Sequence, residues 1–175
     1  SSTITTALSN GARQIIPVED MGEASKLQRT IDSDAYLLCG EKDGKIIDGY
    51  DYGNSPLEYS REAVEGKTII FNTTNGTKAI KKTDVALQSY IACFLNMGAV
   101  AEKLAGHDNE IVIICAGWKG RISFEDSLLA GALIHSLGGG DLPKNAKDGA
   151  KVAFGLFEKY GDDITIRNSF GASTD

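Results

Sequence analysis

Apolar positions in this chain follow two spacings, and the spacing switches repeatedly. Short runs of consecutive or alternating apolar residues read as strands: 14–18, 35–39, 68–71, 85–90 and 111–115. Residues 111–115 (IVIIC) form the most β-branched run of all. Between these runs the apolar positions fall three and four apart. That spacing predicts helices at 1–10, closed by Gly11, and at 20–31, with Ala24, Leu27 and Ile31 on one face. It also predicts helices at 56–64, 76–82, 96–104, 123–137 and 145–160. Capping residues sharpen two starts. Ser55 precedes Pro56, which suits a first helical position, and Ser123 stands three residues before Asp126. Gly138-Gly139-Gly140 ends the helix at 123–137.

Strands alternating with helices of this length imply parallel β-α-β units. The fold class is therefore α/β: a three-layer α/β/α arrangement around a mostly parallel open sheet, with residues 1–175 as a single domain. In such folds ligands bind beyond the carboxyl ends of the strands. Three loops are expected there: 40–55, 72–76 and 116–123.

Composition narrows the picture. The chain has 175 residues, 42% hydrophobic and 24% charged, an ordinary globular balance. A net charge of −6 with no basic stripe argues against a nucleic-acid partner. No apolar run approaches the roughly 20 residues of a membrane span, so no membrane partner is expected. Cys39, Cys93 and Cys115 are odd in number and lie in apolar stretches, which suits a reducing cytoplasm.

Three stretches could carry chemistry. Asn72-Thr73-Thr74-Asn75-Gly76-Thr77 places four polar side chains and a glycine between a buried strand and a helix. A phosphate cradle needs such donors and a close backbone approach; a plain Asn-Gly turn is the simpler alternative. The loop 40–55 carries Glu41, Asp48 and Asp51, oxygen donors suited to Mg²⁺ or Ca²⁺, or else a solvated acidic loop. Cys115 and Arg121 have the Cys-x5-Arg spacing of a thiolate phosphatase, although Ile114 stands where such enzymes usually carry His. Glu125 and Asp126 fall in a first helical turn, where they serve the dipole and could also hold a cation or take a proton.

Taken together, several segments resemble the 2-phosphosulfolactate phosphatase family. They are Ser2 to Leu8 with Asn10-Gly11-Ala12, Gly40-Glu41, and GYDYGNSPLE from Gly49 to Glu58. Gly66-Lys67-Thr68 with Thr73 to Thr77, Cys115-Ala116-Gly117 and Ser123 to Asp126 complete the set. The resemblance implies a Mg²⁺-dependent phosphatase. Its substrate would be the phosphate ester of a small anionic 2-hydroxy acid, typically 2-phospho-3-sulfolactate on the route to coenzyme M. It implies substrate contacts from Asn54, Ser55, Asn72, Thr73, Thr74, Asn75, Gly76, Thr77 and Gly117. Glu41, Glu125 and Asp126 become the candidate catalytic carboxylates, and Asp48 and Asp51 the metal ligands. A homo-oligomer is compatible with it. The family pattern also has a strand with Asp-x-x-Arg-Ala ahead of Ser1 and a C-terminal continuation, so the domain reads as truncated at both ends. Two alternatives remain at this stage: a non-catalytic anion-binding fragment, and a cysteine phosphatase using Cys115 and Arg121.

Overall fold

The computed structural model describes residues 1–107 and 109–162. It divides into two compact units, Ser1–Ile91 and Ala92–Asp175.

The first unit holds the sheet. Strands β1 (Gln14–Val18), β2 (Tyr36–Lys42), β3 (Lys45–Ile46) and β4 (Thr68–Asn72) lie in the order β1-β4-β2-β3. Both pairings of β4 are parallel, and β3 is antiparallel to β2. Thus the α/β class and the mostly parallel open sheet are as expected. The two faces of β4 separate by strict alternation. Ile69 and Phe71 join Cys39, Tyr59 and Val64 under helix α1 (Ser2–Ser9) and helix α3 (Arg61–Val64). Ile70 joins Val18, Ala24 and Leu27 under helix α2 (Met21–Gln28) on the other face. With every residue of β4 buried, this strand is the centre of three layers.

Two helix ends follow their local chemistry. Asp20 caps α2 by accepting a 2.8 Å bond from Glu23 N–H. The expected helix at 56–64 is instead a 3₁₀ turn, Pro56–Glu58, followed by α3. Tyr59 causes the break. Its ring is fully buried beside Tyr52 and Phe71, and its hydroxyl donates to Gly53 O at 2.7 Å. Swinging the ring inward takes the backbone out of the helix, and Ser60 starts a new one. Burial pushes the Tyr59 phenol well above its ordinary value and the neighbouring Cys39 thiol up to about 12.

The second unit, by itself, is helical: α5 (Met97–Ala105), α6 (Phe124–Leu137) and α7 (Asp148–Tyr160). Helix α6 buries an unbroken run from Ala130 to Ile134. Gly131 lets α7 approach so closely that a Cβ there would sit 2.1 Å from Ala153 O. His135 lies between Phe154 and Phe157 on this seam.

Two expected strands are absent. Residues 85–90 continue the turns after helix α4 (Gly76–Lys81), with Ala86 N–H on Thr83 O, and Val85 and Leu87 are 96% and 97% exposed. Residues 111–115 form no regular element; Val112 is 74% exposed, while Ile113 packs against α6 and α7. A β-branched run becomes a strand only where a neighbour supplies the ladder's partners. Among the described residues no strand pairs with either run. The loop 116–123 therefore leaves no strand.

Candidate functional site

In the first unit, β1 feeds α2 on one face of the sheet, and its neighbour β4 feeds α4, whose Ile80 packs on the opposite face. Connections diverging from adjacent parallel strands open a crevice at the carboxyl ends. Here the crevice lies between Val18-Glu19-Asp20 and Asn72-Thr73. Lys81 of α4 reaches Glu23 of α2 at 3.0 Å and ties its two sides together. Backbone N–H of Glu19, then Lys81, holds the Glu23 carboxyl below its ordinary value.

The loop after β4 is internally braced. Asn72, Thr73 and Thr77 are buried. Thr73 Oγ1 accepts from Thr77 N–H at 3.1 Å, and Thr77 Oγ1 donates to Thr73 O at 2.8 Å. Thr74 is held from outside: its N–H donates to Glu41 Oε1 at 2.8 Å and its hydroxyl to Glu41 Oε2 at 3.0 Å. Asn75 is the N-cap residue of α4 and Gly76 its first residue. Gly76 does not have positive φ; a Cβ there would meet Thr73 Oγ1 at 3.1 Å. At the root of the loop Gly40 pairs with Asn72, φ +148°, and a Cβ on it would fall 1.8 Å from Asn72 O. Only glycine fits that approach.

Glu41, near the end of β2, lies level with this loop, whereas Asp51 lies beside the middle of the strand. Glu41 Oε2 also accepts from Gly44 N–H at 2.7 Å. Asp51 Oδ2 accepts from Leu38 N–H at 2.8 Å, which fastens the returning chain alongside β2. Asp48 is exposed. Asn54 turns its carbonyl to the Thr3 hydroxyl at 2.7 Å, and Ser55 N–H donates to Glu58 at 3.2 Å. The Tyr50 hydroxyl is buried with no hydrogen-bond partner among the described residues. Burial raises its pKa, and the nearby Asn72 side chain pulls the other way from outside hydrogen-bond geometry.

The second unit carries the other candidates. Ser123 caps α6 through Asp126 N–H at 3.3 Å, and Asp126 Oδ2 accepts from Gly117 N–H at 2.7 Å. Glu125 is exposed in the same first turn. Residues 118–121 close on themselves: Trp118 N–H donates to Arg121 O at 3.0 Å and Arg121 N–H to Trp118 O at 2.9 Å. Lys119 (φ +50°) and Gly120 (φ +75°) form the two-residue turn between them. A thiolate cradle needs its loop N–H groups aimed at one anion, and two of these are committed to carbonyls. Cys115 Sγ instead contacts Asp126 O at 3.6 Å. Partial burial, then the Asp126 charge, raises its thiol pKa. The geometry disfavours the Cys115–Arg121 nucleophile.

Among the described residues no three His, Cys, Asp or Glu side chains converge as a ready metal cage. Mg²⁺ commonly takes one or two carboxylates and completes its octahedron with water and substrate phosphate, so such a cage is not a requirement for it.

Apolar periodicity missed one feature of the site. Asp43 (φ +56°) and Gly44 (φ +83°) make the two-residue turn of the β2–β3 hairpin. The Asp-Gly pair is itself a hairpin signal.

Comparison with known proteins agrees over the whole length. The family model for 2-phosphosulpholactate phosphatase matches residues 1–172. A protein of Caldanaerobacter subterraneus subsp. tengcongensis named "Probable 2-phosphosulfolactate phosphatase" is 44% identical over 164 residues, covering 94% of this chain and 68% of its own. A protein of the same name from Thermotoga petrophila is 45% identical over 159 residues, covering 90% and 65%. One from Symbiobacterium thermophilum is 40% identical over 160 residues, covering 91% and 69%. The chain thus spans about two thirds of the length of these curated relatives. On these matches, the chain belongs to the 2-phosphosulpholactate phosphatase family.

Proposed function

We propose that the chain serves a Mg²⁺-dependent phosphatase acting in the cytoplasm on the phosphate ester of a small anionic 2-hydroxy acid. The substrate of choice is 2-phospho-3-sulfolactate, hydrolysed to sulfolactate and phosphate as coenzyme M synthesis requires. The observation that carries this reading is the family match, which runs through both loops at the sheet end and the first turn of α6. In this reading Asn72, Thr73, Asn75, Gly76 and Thr77 shape the phosphate and acid-group pocket, with Asn54 and Ser55 at its border and Gly117 beside Asp126. Asp48 and the second oxygen of Asp51 would hold Mg²⁺, which when bound neutralises charge on the transferring phosphoryl oxygens. In the second unit, Glu125 and Asp126 are the carboxylates chemically suited to proton transfer.

Phosphate release by the full-length protein from a panel of 2-hydroxy acid phosphate esters tests the reading. The expected result is turnover of the sulfonated ester that stops in EDTA and returns with Mg²⁺. Undiminished turnover in EDTA overturns the metal-dependent mechanism. Tight sulfolactate binding without turnover of any ester would replace the enzyme with an anion-binding protein.

A further inference from the structure

We infer that Glu41 is a positioning residue of this phosphatase, a latch that fixes the loop after β4, and not its proton carrier. The inference rests on the proposed reaction but is carried by its own geometry. Glu41 sits at the end of β2, 33 residues from Thr74. Its two oxygens accept bonds from Thr74 N–H, Thr74 Oγ1 and Gly44 N–H, at 2.8, 3.0 and 2.7 Å. Every one of these groups is a donor, and all belong to two loops of the protein itself. A general base needs an oxygen aimed at the water it deprotonates; both oxygens here are aimed into the protein.

The latch is two-sided. Thr74 Oγ1, having donated to Glu41, accepts from Asp43 N–H at 3.1 Å. Asp43 and Gly44 have positive φ, which turns their amides toward Thr74 and Glu41. The hairpin turn, the Glu41 carboxylate and the loop after β4 therefore form one closed ring of hydrogen bonds. Bonds to a charged acceptor are the stronger kind. Since Thr74 donates inward through both its N–H and its hydroxyl, it is not a phosphate donor. Its role is to set the orientation of Asn75 and Gly76, which follow it directly. A preset loop binds its anion without the entropy loss of ordering.

The test compares Glu41→Gln, Glu41→Ala and Thr74→Val in steady-state kinetics and amide hydrogen exchange. The glutamine amide oxygen can still accept from Thr74 N–H, so Glu41→Gln should raise KM about tenfold with kcat within about threefold. Thr74→Val loses the hydroxyl that bridges Glu41 and Asp43 N–H and should raise KM in the same direction with kcat little changed; an unchanged KM would overturn the latch. Glu41→Ala should speed exchange of the Thr74 amide by about a hundredfold with little change in thermal midpoint. A fall in kcat of about a thousandfold in Glu41→Gln at unchanged KM would make Glu41 the proton carrier and overturn the latch. So would an unchanged Thr74 exchange rate in Glu41→Ala. If the wild-type protein turns over no ester, the proposed function fails, and the exchange rates alone still decide the latch.

Discussion

Two loops in this molecule offer themselves as anion cradles, and they are built in opposite ways. The loop after β4 uses its side chains for bracing: Thr73 and Thr77 hold each other, and Thr74 is held by Glu41. Asn75 and Gly76 then stand where a helix begins. The loop 115–121 of the second unit uses its backbone for bracing. Trp118 and Arg121 exchange backbone hydrogen bonds, and Gly117 N–H is taken by Asp126. The first closes on side-chain oxygens, to which Thr74 and Thr77 give their amides, and the second closes on its own backbone carbonyls. The spacing Cys-x5-Arg says nothing about which of these a loop does.

The sharpest way to break the first loop is at its root. Gly40→Ala drives a Cβ into Asn72 O, at 1.8 Å, inside a parallel ladder. The loss of stability should be about 3 kcal/mol or more, read by chemical denaturation. A loss under about 1 kcal/mol would mean that β2 and β4 separate easily and that the loop is not rigidly seated.

The second comparison sets Asp126 against Cys115. An asparagine at 126 can still accept from Gly117 N–H, so Asp126→Asn removes charge and leaves the loop in place. It should cost activity about a hundredfold, whereas Cys115→Ser should retain most of it. The raised Cys115 thiol makes alkylation at neutral pH slower than for an unperturbed cysteine. Asp126→Asn should speed that alkylation, because it removes a charge that disfavours thiolate. Loss of activity on alkylating Cys115, with Asp126→Asn fully active, would reverse the assignment.

How much of this was legible without the structure depended on the range of the signal. Ser123 and Pro56 act on backbone groups within a few residues: α6 begins directly after Ser123, and Pro56 opens a 3₁₀ turn where a longer helix was expected. The strands 14–18, 35–39 and 68–71 were readable because they stack into one buried sheet. Residues 85–90 and 111–115 have equally good β patterns and form no strand, since pairing is a property of the partner. The same reasoning applies at the site. The carboxylate Glu41 and the hydroxyl Thr74 were visible as chemistry, but their mutual engagement across 33 residues was not.

The smallest effect concerns the tie between the crevice walls. Glu23 is held below its ordinary value of 4.5, first by Glu19 N–H and then by Lys81. A depressed carboxylate contributes stability above that ordinary value, and the contribution fades as pH falls through the folded value. Lys81→Met should therefore make acid unfolding slightly less steep below about pH 4.5, without abolishing the slope, because Glu19 N–H remains. The pair is partly exposed, so the change should be small. An unchanged acid limb would show that Lys81 does not hold Glu23 in solution.

The contrast between the two loops is tested most directly by titrating inorganic phosphate, with Mg²⁺ present, into isotope-labelled protein and following backbone amides. The expected result is saturable shifts of Asn75 and Gly76, with Ala116 to Arg121 unmoved. Shifts confined to Ala116–Arg121, with Asn75 and Gly76 still, would contradict it and return the phosphate to the cysteine loop.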